Sequence, residues 1–160
     1  MYESRISWDY SDGVVSSRVC LDLIAHDGPG RNPFRNLIPL AHAHPLLEEV
    51  IVAVSASHMY GQMRASLSGS GPPAPLLMDA LLAKQGALRM MPAALRSVDA
   101  ASGDVILAAC LFLVNVELME SGRQGWRPHL EGAGKVMSLI HPVTEADETL
   151  RDYIMSDCLV

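Results

Sequence analysis

The feature that most constrains the fold is an apolar run of ten residues, 105–114, inside a stretch with helical spacing over residues 104–120. Its side chains are apolar nearly all round, and a helix of that kind needs neighbours on every side. The run is too short to cross a bilayer. The sequence therefore predicts a central, buried helix with other helices packed around it.

Helical spacing recurs along the chain, whereas no useful strand alternation occurs. Apolar residues three and four apart predict helices over residues 14–25, 45–65, 76–91 and 126–140. A shorter helix is expected from Asn32, an N-cap ahead of Pro33, to about residue 40. A continuation to residue 98 follows an expected kink at Pro92, and a last helix opens after Thr144. We expect an all-α, irregular multi-helix array of about six or seven helices.

The domain organisation follows from length and from two stretches of unusual composition. A chain of 160 residues fits one domain. Residues 66–75 are rich in Ser, Gly and Pro and predict a flexible loop. Residues 153–160 stay apolar and contain no Gly or Pro that would end a helix. We expect residues 1–160 to form a single but incomplete domain, whose exposed apolar surface favours self-association.

Charge and cysteine usage exclude several classes of function. The net charge is −6 and the twelve basic residues are scattered, which disfavours binding to the phosphate backbone of nucleic acids. The three cysteines lie far apart and form no Cys-x-x-Cys pair, so neither a zinc finger nor a redox motif is predicted. Free, sparse thiols are typical of a reducing compartment. Nine methionines and few aromatic residues predict a core that repacks easily.

Ser57 and His58 raise the question of a nucleophile and its base. Neighbours in a helix rarely face each other productively, and no Gly-x-Ser-x-Gly turn or oxyanion loop accompanies them. A hydrolase is therefore disfavoured, and helix packing is the preferred interpretation.

Two other pairs could bind a metal. His42 and His44 stand before Pro45 with no acidic or Cys ligand at a matching spacing, which favours surface or capping roles. Glu117 and Glu120 lie three apart, but the partner Glu-x-x-His of a bundle metal site is absent. We interpret them as a solvated helix end.

Several short patterns occur in a fixed order. They are NPFR at residues 32–35 with IPLA at 38–41, AVSASH at 53–58, AKQGAL at 83–88, DVILAACLFL at 104–113 and GWRPHLEGA at 125–133. Together they resemble the regulatory middle region of fungal-specific transcription factors, a helical domain that follows a zinc binuclear cluster. The resemblance covers roughly residues 10–140.

The resemblance implies structural roles for nine residues and no catalytic, metal or cofactor-binding ones. These residues are Asn32, Pro33, Phe34, Ser57, His58, Trp126, His129, Leu130 and Gly132. Trp126 is expected to anchor the last helix on the central one, so that its truncation costs about 3–5 kcal/mol. The six-Cys cluster of full-length relatives is absent, so no zinc and no direct DNA binding are expected of this chain.

The resemblance also implies a function. It is a non-catalytic regulatory domain of a fungal transcription factor, located in the nucleus and regulating RNA polymerase II transcription through effector sensing or protein interaction. The alternative is a small-molecule (sterol or metabolite) receptor domain without its own DNA-binding module. Expected partners are other parts of the regulatory domain, the transcription machinery or a small-molecule effector. A homodimer is left open, and no membrane is expected.

Overall fold

A computed structural model describes residues 37–66, 74–98, 100–121 and 124–139, together with Arg35. Within these ranges the chain forms four α-helices, two 3₁₀ helices and no strand, so the all-α class is confirmed. The elements are a first 3₁₀ helix (Ile38–Ala43), α1 (Pro45–Ser66), α2 (Ala74–Arg96), α3 (Ala100–Ser121), a second 3₁₀ helix (Gln124–Trp126) and α4 (Arg127–Leu139).

The full count of six or seven helices stays a prediction, because part of it lies outside the described residues. The expected helices over residues 14–25 and after Thr144 fall there, as do Asn32, Pro33 and Phe34. The predicted segment ending near residue 40 instead continues as the first 3₁₀ helix to Ala43.

The central position of α3 is confirmed. Residues 105–113 and Val116 are buried, and α3 contacts α1, α2, α4 and the second 3₁₀ helix. Phe112, the bulkiest of the fully buried side chains, lies in this helix. Because apolar side chains surround the helix, each face can bury its surface against a different neighbour.

Small residues let α1 and α2 approach each other closely. Residues 50–57 of α1 are all buried. In the second half of α1, Ala56 packs with Leu76 and Ala80 of α2. The pattern of small side chains at this level therefore serves helix packing, and the two helices flank a surface next to the end of α3.

Helix α2 continues past Pro92, as predicted, and runs to Arg96. Pro92 cannot donate to the carbonyl of Leu88, but both residues are exposed, so water can reach that carbonyl. Most of the expected loop over residues 66–75 lies outside the described residues; at its two ends, Ser66 belongs to α1 and Ala74 begins α2.

Ten large apolar side chains remain exposed in the described part of the chain. They are Leu40, Met63, Met78, Leu81, Leu82, Leu88, Leu95, Leu118, Met119 and Leu139. Across the described ranges, none of the helices has the length and hydropathy that a membrane span requires. Two of the exposed side chains, Leu81 and Met119, line a cleft that is described below.

Candidate functional site

A lysine joins α2 to the end of α3. Lys84 lies four residues after the buried Ala80, on the side of α2 that faces the other helices. Its Nζ atom is 2.7 Å from Oε1 of Glu117 and 2.6 Å from Oε2 of Glu120. The exposed fractions of the three side chains are only 15, 17 and 22%. These are short, charge-assisted hydrogen bonds in a partly desolvated site.

His129 of α4 faces the same carboxylate. Its Nε2 atom lies 3.7 Å from Oε1 of Glu117, beyond direct hydrogen-bond range. We call Lys84, Glu117, Glu120 and His129 the lysine junction, since together they bring α2, α3 and α4 to one point.

The charges of the lysine junction are set by opposing effects. Burial lowers the pKa of Lys84, but the hydrogen bonds that Lys84 donates to Glu117 and Glu120, together with their negative charges, outweigh this effect and raise the pKa above 10.5. Burial lowers the pKa of His129 below 6.5, and the attraction of Glu117 does not compensate. Near neutral pH, Lys84 is therefore charged and His129 neutral.

Two glycines near the lysine junction let glutamate side chains of neighbouring helices lie close to the backbone. A Cβ atom added to Gly125 would lie 2.5 Å from Oε2 of Glu117, so only glycine fits there unless Glu117 moves. A Cβ atom added to Gly86 would lie 3.1 Å from Cδ and Oε2 of Glu49 in α1. The AKQGAL pattern thus packs on α1 through Gly86 and pairs with α3 through Lys84.

The interpretation of Glu117 and Glu120 as a solvated helix end missed their partner. Glu120 is an exposed residue at the end of α3 and Glu117 is half-buried, and both carboxylates bind Lys84. Sequence reasoning also missed Lys84, although its position in step with the apolar residues of α2 was a usable signal. A lysine on a buried stripe needs a carboxylate partner, and two glutamates stand three apart at the end of the following helix.

The GWRPHLEGA pattern places α4 on α3. Gly132 lies over Cys110 of α3, where an added Cβ atom would be 3.9 Å from the sulfur. Leu130 is half-buried. Trp126 is also half-buried, with the guanidinium carbon of Arg127 5.7 Å from its ring centroid, a cation–π contact. The anchoring role of Trp126 stays a prediction, and its partial burial makes 3–5 kcal/mol an upper bound.

The candidate nucleophiles have no catalytic surroundings in the described residues. Ser57 is 7% exposed, and its hydroxyl oxygen has no hydrogen-bond partner within the described part. His58, next along the helix, points about 100° away from it. Nε2 of His58 lies 3.5 Å from the side-chain nitrogen of Gln62. Burial raises the pKa of Cys110 to about 11, so its thiol is protonated and a poor nucleophile.

Metal ligands are not grouped in the described part of the chain. No three His, Cys, Asp or Glu side chains there stand close enough to hold an ion. His42 lies at the end of the first 3₁₀ helix and is exposed, while His44 adopts an extended backbone and its N–H donates to the carbonyl of Ala41 at 3.0 Å. His44 also accepts from the N–H groups of Leu47 and Glu48, so its backbone forms the entry to α1.

A cleft of about 310 Å³ opens beside the lysine junction. It lies between the second half of α1, the first half of α2 and the end of α3. Its lining consists of Ser57, Tyr60, Gly61, Arg64, Leu77, Leu81, Met119 and Glu120. This volume is at the lower end of the range for small-molecule sites. Glu120 belongs both to the cleft wall and to the lysine junction.

Comparison with known proteins decides the family. The family model of the fungal specific transcription factor domain matches residues 10–159. The chain belongs to this family. The resemblance of its sequence patterns is thereby confirmed, and the family is one of non-enzymatic regulators of transcription.

One relative is the acriflavine sensitivity control protein acr-2 of Neurospora crassa. It is 36% identical over 146 residues, which cover 88% of this chain and 24% of the relative. The chain thus spans about a quarter of the length of that protein. No solved structure matched the chain significantly.

Proposed function

We propose that the chain is a non-catalytic regulatory domain that acts in the nucleus and regulates RNA polymerase II transcription through effector sensing or protein interaction. The observation that carries the proposal is that the polar residues of its family-like patterns serve helix packing. Lys84 pairs with two glutamates, Gly125 makes room for Glu117, and His129 packs neutral beside it. No convergent acid, base and nucleophile accompany them in the described residues.

Partners follow from the same proposal. Other parts of a longer regulatory protein, the transcription machinery or a second copy of the chain would contact its exposed apolar side chains. Sequence-specific DNA binding and zinc would belong to a separate cluster domain. The net charge of −6 supports this division, because it opposes contact with phosphates. Submicromolar binding of duplex DNA by the chain at about 0.15 M salt would contradict it.

A transcription reporter tests the regulatory function. The chain is fused to an unrelated DNA-binding domain and compared with that domain alone on the same promoter in fungal cells. We expect reporter transcription to rise or fall reproducibly, and a fluorescent fusion to concentrate in the nucleus. A fusion that is present at equal level in the nucleus but leaves transcription unchanged contradicts the proposal.

The alternative, a small-molecule receptor without its own DNA-binding module, is favoured by one observation, the cleft. A ligand that binds only the folded chain increases its free energy of unfolding by RT ln(1 + [L]/Kd) and thereby raises its melting temperature. Thermal unfolding across a panel of metabolites distinguishes the two functions. A receptor gives a saturable shift with at least one compound, whereas a module for protein interaction alone gives none.

A further inference from the structure

We propose that the cleft binds a small amphipathic anion, a molecule with an apolar ring system and one carboxylate or sulfonate group. This inference rests on the effector-sensing form of the proposed function. It names the chemistry of the effector and the residues that recognise it.

The apolar part of the ligand is recognised by three side chains. Leu77 and Leu81 of α2 and Met119 of α3 line the cleft. Leu81 and Met119 are exposed to 44 and 39%, so a bound apolar group would remove their surface from water. Such burial is the main driving force for binding apolar ligands. Methionine also adapts its shape to a flat ring.

The charge of the ligand follows from Arg64 and Glu120, the two charged residues of the lining. Glu120 accepts a hydrogen bond from Lys84 at 2.6 Å, which offsets part of its negative charge, since Lys84 shares its single positive charge with Glu117. Arg64 has no carboxylate within ion-pair distance among the described residues, which leaves a positive charge at the cleft. A guanidinium binds a carboxylate or sulfonate through parallel hydrogen bonds. Arg64 therefore offers an anion one charged partner in the cleft, beside a glutamate that Lys84 holds.

Ser57 supplies a second polar feature. It lines the cleft and is almost completely buried, yet its hydroxyl oxygen has no partner in the described part. Unpartnered buried hydroxyls are uncommon, because they forfeit a hydrogen bond that water would give. The oxygen has almost no exposed surface, so an acceptor on the ligand would satisfy this donor after a small movement of the cleft wall.

The cleft is coupled to the packing of the helices through Glu120. Lys84 binds both Glu120 and Glu117. Glu117 in turn lies against Gly125 in the second 3₁₀ helix and against His129 in α4. Loss of Lys84 would leave a bare negative charge in the cleft wall and repel an anion. Ligand binding and the lysine junction must then influence each other reciprocally, as linkage requires.

Two fluorescent probes test the proposal on the 160-residue chain. 1-Anilinonaphthalene-8-sulfonate has the proposed chemistry, and N-phenyl-1-naphthylamine has the same rings without the sulfonate. We expect one sulfonate-probe site per chain. Arg64→Gln should weaken the sulfonate probe about three- to fivefold, the size of a partly exposed ion pair, and leave the neutral probe unchanged. Arg89→Gln, an exposed arginine of α2 outside the cleft, is the matched control and should change neither probe.

Further variants separate the cleft from general apolar binding. Leu81→Gln should weaken both probes, whereas Leu82→Gln, on the same helix and 49% exposed against 44%, should weaken neither. Lys84→Met should weaken the sulfonate probe selectively, and Glu120→Gln should leave it as tight or tighter. For Lys84→Met and Glu120→Gln, unchanged binding of the neutral probe shows that the variant keeps its cleft.

The results decide the proposal in either direction. Equal losses from Leu81→Gln and Leu82→Gln, many sites per chain, or a sulfonate affinity insensitive to Arg64→Gln would overturn it. If the transcription reporter still responds in that case, the proposed function stands and only the cleft assignment fails. If the probes bind as expected while the reporter is silent, the regulatory function fails and the anion site remains.

Discussion

Replacement of Lys84 by methionine tests the energetic importance of the lysine junction. Methionine keeps an unbranched apolar stem of similar length in α2 but removes the ammonium group. Glu117 and Glu120 then lose their bonds of 2.7 and 2.6 Å and are left as two carboxylates three residues apart on α3. Like charges at that spacing on a helix repel each other.

The expected loss of stability can be worked from these contacts. Hydrogen bonds to charged groups contribute about 1.5–3 kcal/mol each, so two of them set a ceiling of about 3–6 kcal/mol. The side chains of Glu117 and Glu120 are 17 and 22% exposed, so water can solvate their carboxylates once Lys84 is replaced. Allowing for this screening, we expect a decrease of about 2–3 kcal/mol in the free energy of unfolding. For a chain of this size that corresponds to a melting temperature lower by about 4–12 °C.

Urea titration followed by circular dichroism at 222 nm measures the effect. Lys135→Met on α4 is the control, since this exposed lysine should give a change below about 0.5 kcal/mol. Combining Lys84→Met with Glu117→Gln in a double-mutant cycle should give a coupling energy of about 1–2 kcal/mol. If Lys84→Met is no more destabilising than Lys135→Met, or the coupling energy vanishes, the reasoning about the junction is refuted.

Three further predictions concern the second 3₁₀ helix and α4. Because burial lowers the pKa of His129 below 6.5, the unfolded chain takes up this proton first as pH falls. The free energy of unfolding should therefore decrease from about pH 7 to about pH 5.5, and it should decrease less in His129→Gln. Urea titration at each pH measures both, and an equal pH dependence of the two proteins would contradict the prediction. Gly125→Ala should destabilise the chain by about 1–3 kcal/mol, because the added methyl group displaces Glu117. Gly132→Ala, whose added methyl group meets ordinary contact distances, should be neutral or stabilise by up to about 1 kcal/mol. If thermal unfolding shows Gly132→Ala to be the less stable variant, the packing described is rejected. Trp126→Ala should cost about 1.5–3 kcal/mol, since the ring is half-buried, and a change under about 0.5 kcal/mol in the same assay would place it at the surface.

The helices themselves were predictable because they depend on local spacing. Apolar residues three and four apart, together with Pro45 as a start, placed α1 within one residue of its observed bounds. The apolar run of residues 105–114 identified α3 as the central helix, since no other packing covers all its faces. Ordered patterns such as GWRPHLEGA also gave the family, which the match over residues 10–159 confirmed.

Boundaries were less predictable wherever a tertiary contact or solvent exposure overrode a local signal. Helix α2 begins at Ala74, two residues before the predicted start, and continues past Pro92 to Arg96 in an exposed last turn. Helix α3 begins at Ala100, four residues before the apolar pattern suggested.

The sequence by itself determined the helical class, the central helix and the absence of a familiar catalytic motif, because these follow from the order of residue types along the chain. Only the tertiary structure decided which polar residues pair with one another and which line the cleft. Lys84 is 33 residues before Glu117 in sequence, and no local rule connects them. Their distance of 2.7 Å arises because α2 and α4 pack on the same end of α3. The cleft has the same origin: Arg64, Leu81 and Glu120 come from three helices, and their complementarity to an anion exists only where those helices meet.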